Sequence, residues 1–211
     1  MANLRKVSMM RNKRVIFAGI ILALLTGCSS SSSRSGVAAV VGNQEISQNT
    51  IASQLNEVKS QIQGGQPGGQ LVDGAVLGQQ IVNRLVLTEL INQAVSDLNV
   101  SVPQSKVTKF QEGVYSQYGQ KQVEQQLLTT QAIPASEVQD FFRLLLSEEA
   151  VSEKLSPTGN TDQRNAAFSK YMANLAKQSN IEVSPRYGAW DSTQFKVTGA
   201  DNELSSLMSA E

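Results

Sequence analysis

From Val37 to Trp190 the chain alternates between stretches whose apolar residues recur every three or four positions and short polar, glycine- or proline-bearing breaks. Val37-Ala38-Ala39-Val40-Val41 is a β-branched apolar run closed by Gly42-Asn43, and Glu45-Ile46 leads to Ser47. This predicts a strand, a tight turn, a second short extended piece and a helix capped by serine. Ile51, Leu55, Val58 and Ile62 then follow at helical spacing, with a stop expected at Gly64. Residues 63–70 form a breaker cluster, read as a surface loop. A phosphate-cradling role for it is disfavoured, because no Gly-Lys-Ser/Thr follows and no strand feeds it.

The longest apolar pattern comes next: Leu77, Ile81, Leu85, Leu87, Ile91, Val95 and Leu98, widened by Val82, Val86 and Leu90. It keeps an apolar face for about six turns, which predicts the spine on which other helices pack. Asn99 ends it. Pro103 opens a helix with Val107, Phe110, Val114 and Tyr118 in phase, and Gly119 breaks it. A shorter helix carries Val123, Leu127 and Leu128 up to Ile133-Pro134. Ser136 and Gln139 have the spacing of a capping box for the next helix, which bears Val138, Phe141, Phe142, Leu145 and Leu146 and runs to about Leu155. After Ser156-Pro157-Thr158-Gly159-Asn160, a last helix aligns Phe168, Tyr171, Met172 and Leu175. Ile181-Glu182-Val183 reads as a short strand, Arg186 to Trp190 as an aromatic plug, and 192–211 as a loosely ordered tail.

The first 27 residues follow a different logic. Arg5, Lys6, Arg11, Lys13 and Arg14 precede an apolar run from Val15 to Leu25 and then small residues, the layout of a secretory signal. That run would span about 16 Å as a helix against a hydrocarbon core of about 30 Å, too short for a permanent span. Leu25-Thr26-Gly27-Cys28 resembles the lipobox of bacterial lipoproteins, which implies cleavage before Cys28 and acylation of its thiol. Acyl chains bury methylenes at about 0.8 kcal/mol each, so two or three of them tether a domain without a spanning helix. The expected organisation is therefore a signal at 1–27, a lipidated cysteine with a serine-rich linker at 28–36, and a folded domain at 37–191.

Charge and composition narrow the chemistry. Five of the 18 basic residues and none of the 18 acidic ones lie before Cys28, so the remainder carries 13 basic against 18 acidic residues, a net −5. No basic stripe is left to neutralise phosphates, so nucleic acid is not an expected partner. The sequence contains no histidine and a single cysteine. This excludes Ser-His-Asp and Cys-His catalysis, imidazole ligation, a thiolate metal cluster and an internal disulfide. Glu148, Glu149 and Glu153 read as a solvated helix face rather than an acid-base pair. No catalytic, cofactor or metal site is expected.

In their order, these elements resemble the SurA/PrsA-type chaperone family. The carriers are Ala38 to Ile46 followed by a helix, the helix with Leu85, Leu87, Leu90 and Ile91, the step Val100-Ser101-Val102-Pro103-Gln104-Ser105-Lys106-Val107, and Pro134 to Phe142. The resemblance covers about Val37 to Trp190. It implies a mainly α fold, a helical chaperone domain of five or six helices, with a small two-stranded β element in which Ile181–Val183 pairs with Val37–Val41. The family commonly inserts a parvulin prolyl isomerase, which needs on the order of a hundred residues. Only a short linker and one helix separate Leu155 from Ile181, so that activity is expected to be missing.

The resemblance further implies a membrane-anchored, extracytoplasmic holdase that needs no ATP and binds unfolded or newly exported polypeptides. Phe110, Tyr115, Tyr118, Phe141, Phe142 and Leu145 are the candidate client-binding apolar surface; core packing accounts for most such residues on amphipathic helices, and periodicity does not divide the two roles. Two other readings stay open on sequence grounds: a cell-envelope scaffold binding one specific partner, and a prolyl isomerase with a non-parvulin site.

Overall fold

The computed structural model describes residues 35–65 and 73–199. The expected signal, Cys28, most of the serine-rich linker, residues 66–72 of the glycine-rich loop and residues 200–211 lie outside them. The elements are β1 (Val37–Val41), β2 (Gln44–Ser47), α1 (Gln48–Gly65), α2 (Gly74–Asp97), α3 (Gln104–Tyr118), α4 (Gln120–Gln131), a 3-10 turn (Ala135–Glu137), α5 (Val138–Leu155), α6 (Thr161–Gln178), β3 (Glu182–Val183), β4 (Ala189–Asp191) and β5 (Lys196–Thr198). The fold is mainly α, with six helices among the described residues.

Local chemistry explains most boundaries. Gly42 takes a positive φ of 61° in the β1–β2 turn, and the Thr50 amide donates to Ser47 Oγ at 3.0 Å, capping α1 as the sequence predicts. Asn99, with φ 50°, follows α2, and Gly119, with φ 83°, separates α3 from α4. The capping box, however, forms elsewhere than expected. Ser136 Oγ donates to Glu57 Oε1 at 2.7 Å and Gln139 Nε2 to Gln111 Oε1 at 3.4 Å, because a 3-10 turn precedes α5 and turns both side chains toward neighbouring helices. The reciprocal pair is Asn160 with Gln163, at the start of α6.

The first and third strands pair as the resemblance implies: β1 runs antiparallel to β3, Ala39 opposite Val183 and Val40 opposite Glu182. The β element is larger than expected, since β2 flanks the other side of β1 to give the order β2-β1-β3. Residues 192–199, expected to open a loose tail, instead complete a hairpin in which β4 pairs with β5, Trp190 opposite Val197. Hydrogen bonds to α2 hold it there: Gln79 Nε2 donates to the Val197 carbonyl at 2.8 Å and the Val197 amide donates to Asn83 Oδ1 at 2.8 Å. Trp190 meets Phe195 edge-on, ring centroids 6.5 Å apart, and Tyr187 packs over Gly78, where a Cβ would sit 3.6 Å from the ring. Tyr187 and Trp190 are half-buried against the main core while Arg186 and Ala189 are exposed, so the aromatic stretch covers the core without the full burial expected of a plug.

α2 is the spine. It packs against α1, α5, α6, β1 and β5, and its Leu77, Ile81, Val82, Val86, Leu90, Ile91 and Ala94 are buried in the main core. A helix contacted on several sides needs apolar residues on several sides, which is why its pattern is wider than a single stripe. A second, smaller core lies around α3, α4 and α5, made of Val107, Leu127, Ile133, Val138, Phe142 and Leu146.

Candidate functional site

The six residues of the candidate surface divide according to helix phase. α3 starts after Pro103 and turns Val107 into the second core. One turn later, Phe110 reaches only the rim of that core and stays 37 % exposed. Phe142, from α5, fills the centre at 3 % exposure. Its ring receives Phe110 edge-on at 5.4 Å and 83°, Tyr115 at 6.2 Å and 66°, and Phe141 at 6.1 Å in a tilted contact. Edge contacts of this kind set the electropositive ring edge against the electronegative face. Leu145 packs half-buried against the same core. Tyr118 stands apart at 56 % exposure and makes no ring contact with the others among the described residues. The structure therefore brings five of the six together, buries Phe142, and leaves Phe110 and Tyr118 as the open aromatic surface on α3.

Polar contacts fix the helices that carry this surface. The Tyr115 hydroxyl donates to Glu124 Oε1 at 3.0 Å, joining α3 to α4, and burial, with Glu124 alongside, pushes its phenol above the ordinary range. Arg143 donates to the Val102 carbonyl at 3.3 Å and to Gln104, tying α5 to the start of α3. Lys106 reaches Glu149 at 3.3 Å, an exposed pair of small energetic value.

Of the three glutamates read as a solvated face, Glu149 and Glu153 are exposed; Glu153 lies 3.4 Å from Arg164. Glu148 departs from that expectation. It is half-buried, and desolvation alone raises its carboxyl above the usual range.

Sequence periodicity missed a charged cleft between α2 and α5. Arg84 lies inside the apolar pattern of α2, yet its side chain is only 14 % exposed and meets Gln54, Glu137 and the cleft. Gln54 is itself buried and donates through Nε2 to Glu137 Oε1 at 3.2 Å. A basic residue within the longest apolar stretch was the available signal. The cleft, about 310 Å³, also takes in Phe141, so it adjoins the aromatic cluster. A second, more polar hollow of about 430 Å³ lies where the β1–β2 turn meets α2 and the end of α6. Its Gln93 is committed to holding the fold, donating to the Val41 carbonyl at 3.1 Å and accepting from Ser179 Oγ at 2.8 Å.

Among the described residues no group of three or more Cys, Asp or Glu is placed to hold a metal ion, and no helix is long and apolar enough to cross a membrane. The arrangement offers apolar and aromatic contact surface beside one buried cation.

The chain is similar to the chaperone SurA of Pectobacterium atrosepticum, with 33% identity over 93 residues, and to that of Photorhabdus laumondii, with 27% over 94. Each match covers 44% of this chain and 21% of the relative, so the chain matches about a fifth of the length of these curated proteins. No solved structure matches. The family model of the SurA-like N-terminal domain matches residues 1–113, from the first residue into α3 and past Phe110. That is more than half of the chain, which belongs to the SurA-like N-terminal domain family.

Proposed function

We propose that this protein is a lipid-anchored, extracytoplasmic chaperone that holds unfolded, newly exported polypeptides through apolar contacts, without ATP and without prolyl isomerase catalysis. The observation that carries the reading is the exposure of Phe110 and Tyr118 on α3, in a chain of the SurA-like family, beside a buried Phe142 that keeps the surface in place. Apolar burial yields about 25 cal/mol per Å² and has no directional requirement, so such a surface accepts many sequences weakly. This suits a holding function, in which each contact must also be released. Acylation at Cys28 would keep the domain beside the membrane that clients leave.

The test is aggregation of several unrelated unfolded proteins, followed by light scattering, with the form beginning after Cys28. Suppression by the wild type, and its loss in the Phe110→Ser, Tyr118→Ser double variant with an unchanged circular dichroism spectrum, is the expected result. Equal suppression by both would remove the surface from the mechanism, and activity toward one partner alone would remove the holdase. Membrane attachment is read separately: Cys28→Ala should shift the protein from the membrane to the soluble fraction.

A further inference from the structure

Arg84 carries a charge that its surroundings compensate poorly. A guanidinium has five N–H donors. Among the described residues, Arg84 makes one hydrogen bond with its side chain, from Nη2 to Gln54 Oε1 at 2.8 Å. The nearest carboxylate oxygen, Glu137 Oε2, is 3.8 Å from Nη1, beyond hydrogen-bond range. Nε is sealed from solvent with no partner. Burial lowers the pKa of the group, an effect that Glu137 only partly opposes. Buried charges are costly unless paired, and Glu137 already gives its other oxygen to Gln54.

The same cation lines the cleft between α2 and α5, whose walls include Leu85 and Leu144 and whose edge is Phe141. At about 310 Å³ the space is at the small end of ligand pockets, enough for one apolar side chain with a charged group attached. Asp140 also lines the cleft, exposed and outside any ion pair among the described residues. It disfavours dianions more than a single carboxylate. Arg143, the other cation there, is committed to Val102 and Gln104.

We propose that this cleft is a receptor for a carboxylate joined to an apolar residue on an extended polypeptide, with the Arg84 guanidinium as its charged floor. The proposal rests on the client-binding reading and names a chemical class that the clients present to it. The ligand carboxylate takes the terminal nitrogens of Arg84 in the fork geometry that guanidinium and carboxylate share, displacing the loosely held Glu137. Its neighbouring apolar side chain lies against Leu85, Leu144 and Phe141.

The experiment is calorimetric titration of the purified protein with three N-acetylated peptides: Ala-Leu-Phe with a free C-terminal carboxylate, its C-terminal amide, and an amidated peptide with an internal glutamate, Ala-Leu-Glu-Phe. The free acid should bind roughly tenfold or more tightly than its amide, as expected of a charge-assisted pair. The internal-glutamate peptide decides the source of the carboxylate: equal binding means any acidic side chain serves, and failure to bind means the chain terminus is read. Arg84→Gln should abolish the difference between acid and amide. Should that variant not fold, Glu137→Gln carries the test, since it removes the competing charge while keeping an acceptor for Gln54. It should tighten binding of the acid and leave the amide unchanged.

Equal binding of acid and amide, absence of binding, weaker acid binding in Glu137→Gln, or displacement of the peptide by millimolar inorganic phosphate would each overturn the proposal. Aggregation suppression that persists alongside such a result leaves the holdase reading intact. Loss of suppression with selective acid binding refutes only the holdase.

Discussion

Replacing Phe142 by alanine tests whether the aromatic cluster is built from the inside outward. The side chain is 97 % buried, 3 % of it being exposed, and three aromatic neighbours rest on its ring. Truncating a buried phenylalanine costs about 3–5 kcal/mol, comprising the lost transfer term and the cavity left behind. Aromatic pairs add about 0.5–1.5 kcal/mol each beyond burial, so the upper half of that range is expected. Domains of this size are stable by about 5–15 kcal/mol, and each kcal/mol shifts Tm by about 2–4 °C, so Tm should fall by roughly 8–20 °C. The measurement is urea denaturation followed by helix circular dichroism, with the midpoint and slope fitted together. Phe110→Ala, at the exposed rim, should cost only about 1 kcal/mol. Loss of less than about 1 kcal/mol in Phe142→Ala, or equal costs at the two positions, would refute the division into a buried support and an open surface.

Other perturbations probe separate parts of the fold. Gly188 has φ 118° and a Cβ there would collide with the Thr198 carbonyl, so Gly188→Ala should destabilise the β4–β5 hairpin by at least about 2 kcal/mol, seen as faster hydrogen exchange at the Val197 amide. Asn160→Ala removes the acceptor for the Gln163 amide at 2.9 Å and should cost about 1 kcal/mol by denaturation, within the usual range for a lost N-cap. Glu148 has a folded-state pKa raised by burial, so the folded protein binds its proton more tightly than the unfolded chain does. Its contribution to stability is present below the ordinary carboxylate pKa and is lost as pH rises through the raised value. Glu148→Gln should therefore be more stable than wild type near neutral pH, with the gain vanishing in acid; a gain that is constant across pH would refute the assignment.

Legibility followed the number of contacts that each residue type can satisfy alone. α2 was readable because a helix packed on several sides must be apolar over many turns, and Asn99 and Gly119 were readable because their backbone conformations suit a helix end. The pairing of β1 with β3 joins residues 39 and 183, and no local pattern encodes such a pairing; only the resemblance implied it. Ser136 was misread because its hydroxyl can serve either its own helix or the carboxylate of Glu57, and tertiary packing decided for the latter. The β4–β5 hairpin was hidden because its strands have three residues each and are held by Gln79 and Asn83, whose amides look like surface residues in the sequence.

Within the candidate surface the hidden variable was how α3 and α5 pack against each other. Phe110 and Phe142 both fall on apolar faces of their helices, but only the α3–α5 contact determines which ring is enclosed and which forms the rim. Phe141 shows the same dependence from the other side: it touches Phe142 and also borders the cleft that contains Arg84. Phe141 is thus common to the aromatic cluster around Phe142 and to the cleft lined by Arg84. If clients bind as proposed, a polypeptide resting on Phe141 would meet both the aromatic cluster and the cleft that holds Arg84, so the apolar and ionic contacts need not be made by separate molecules.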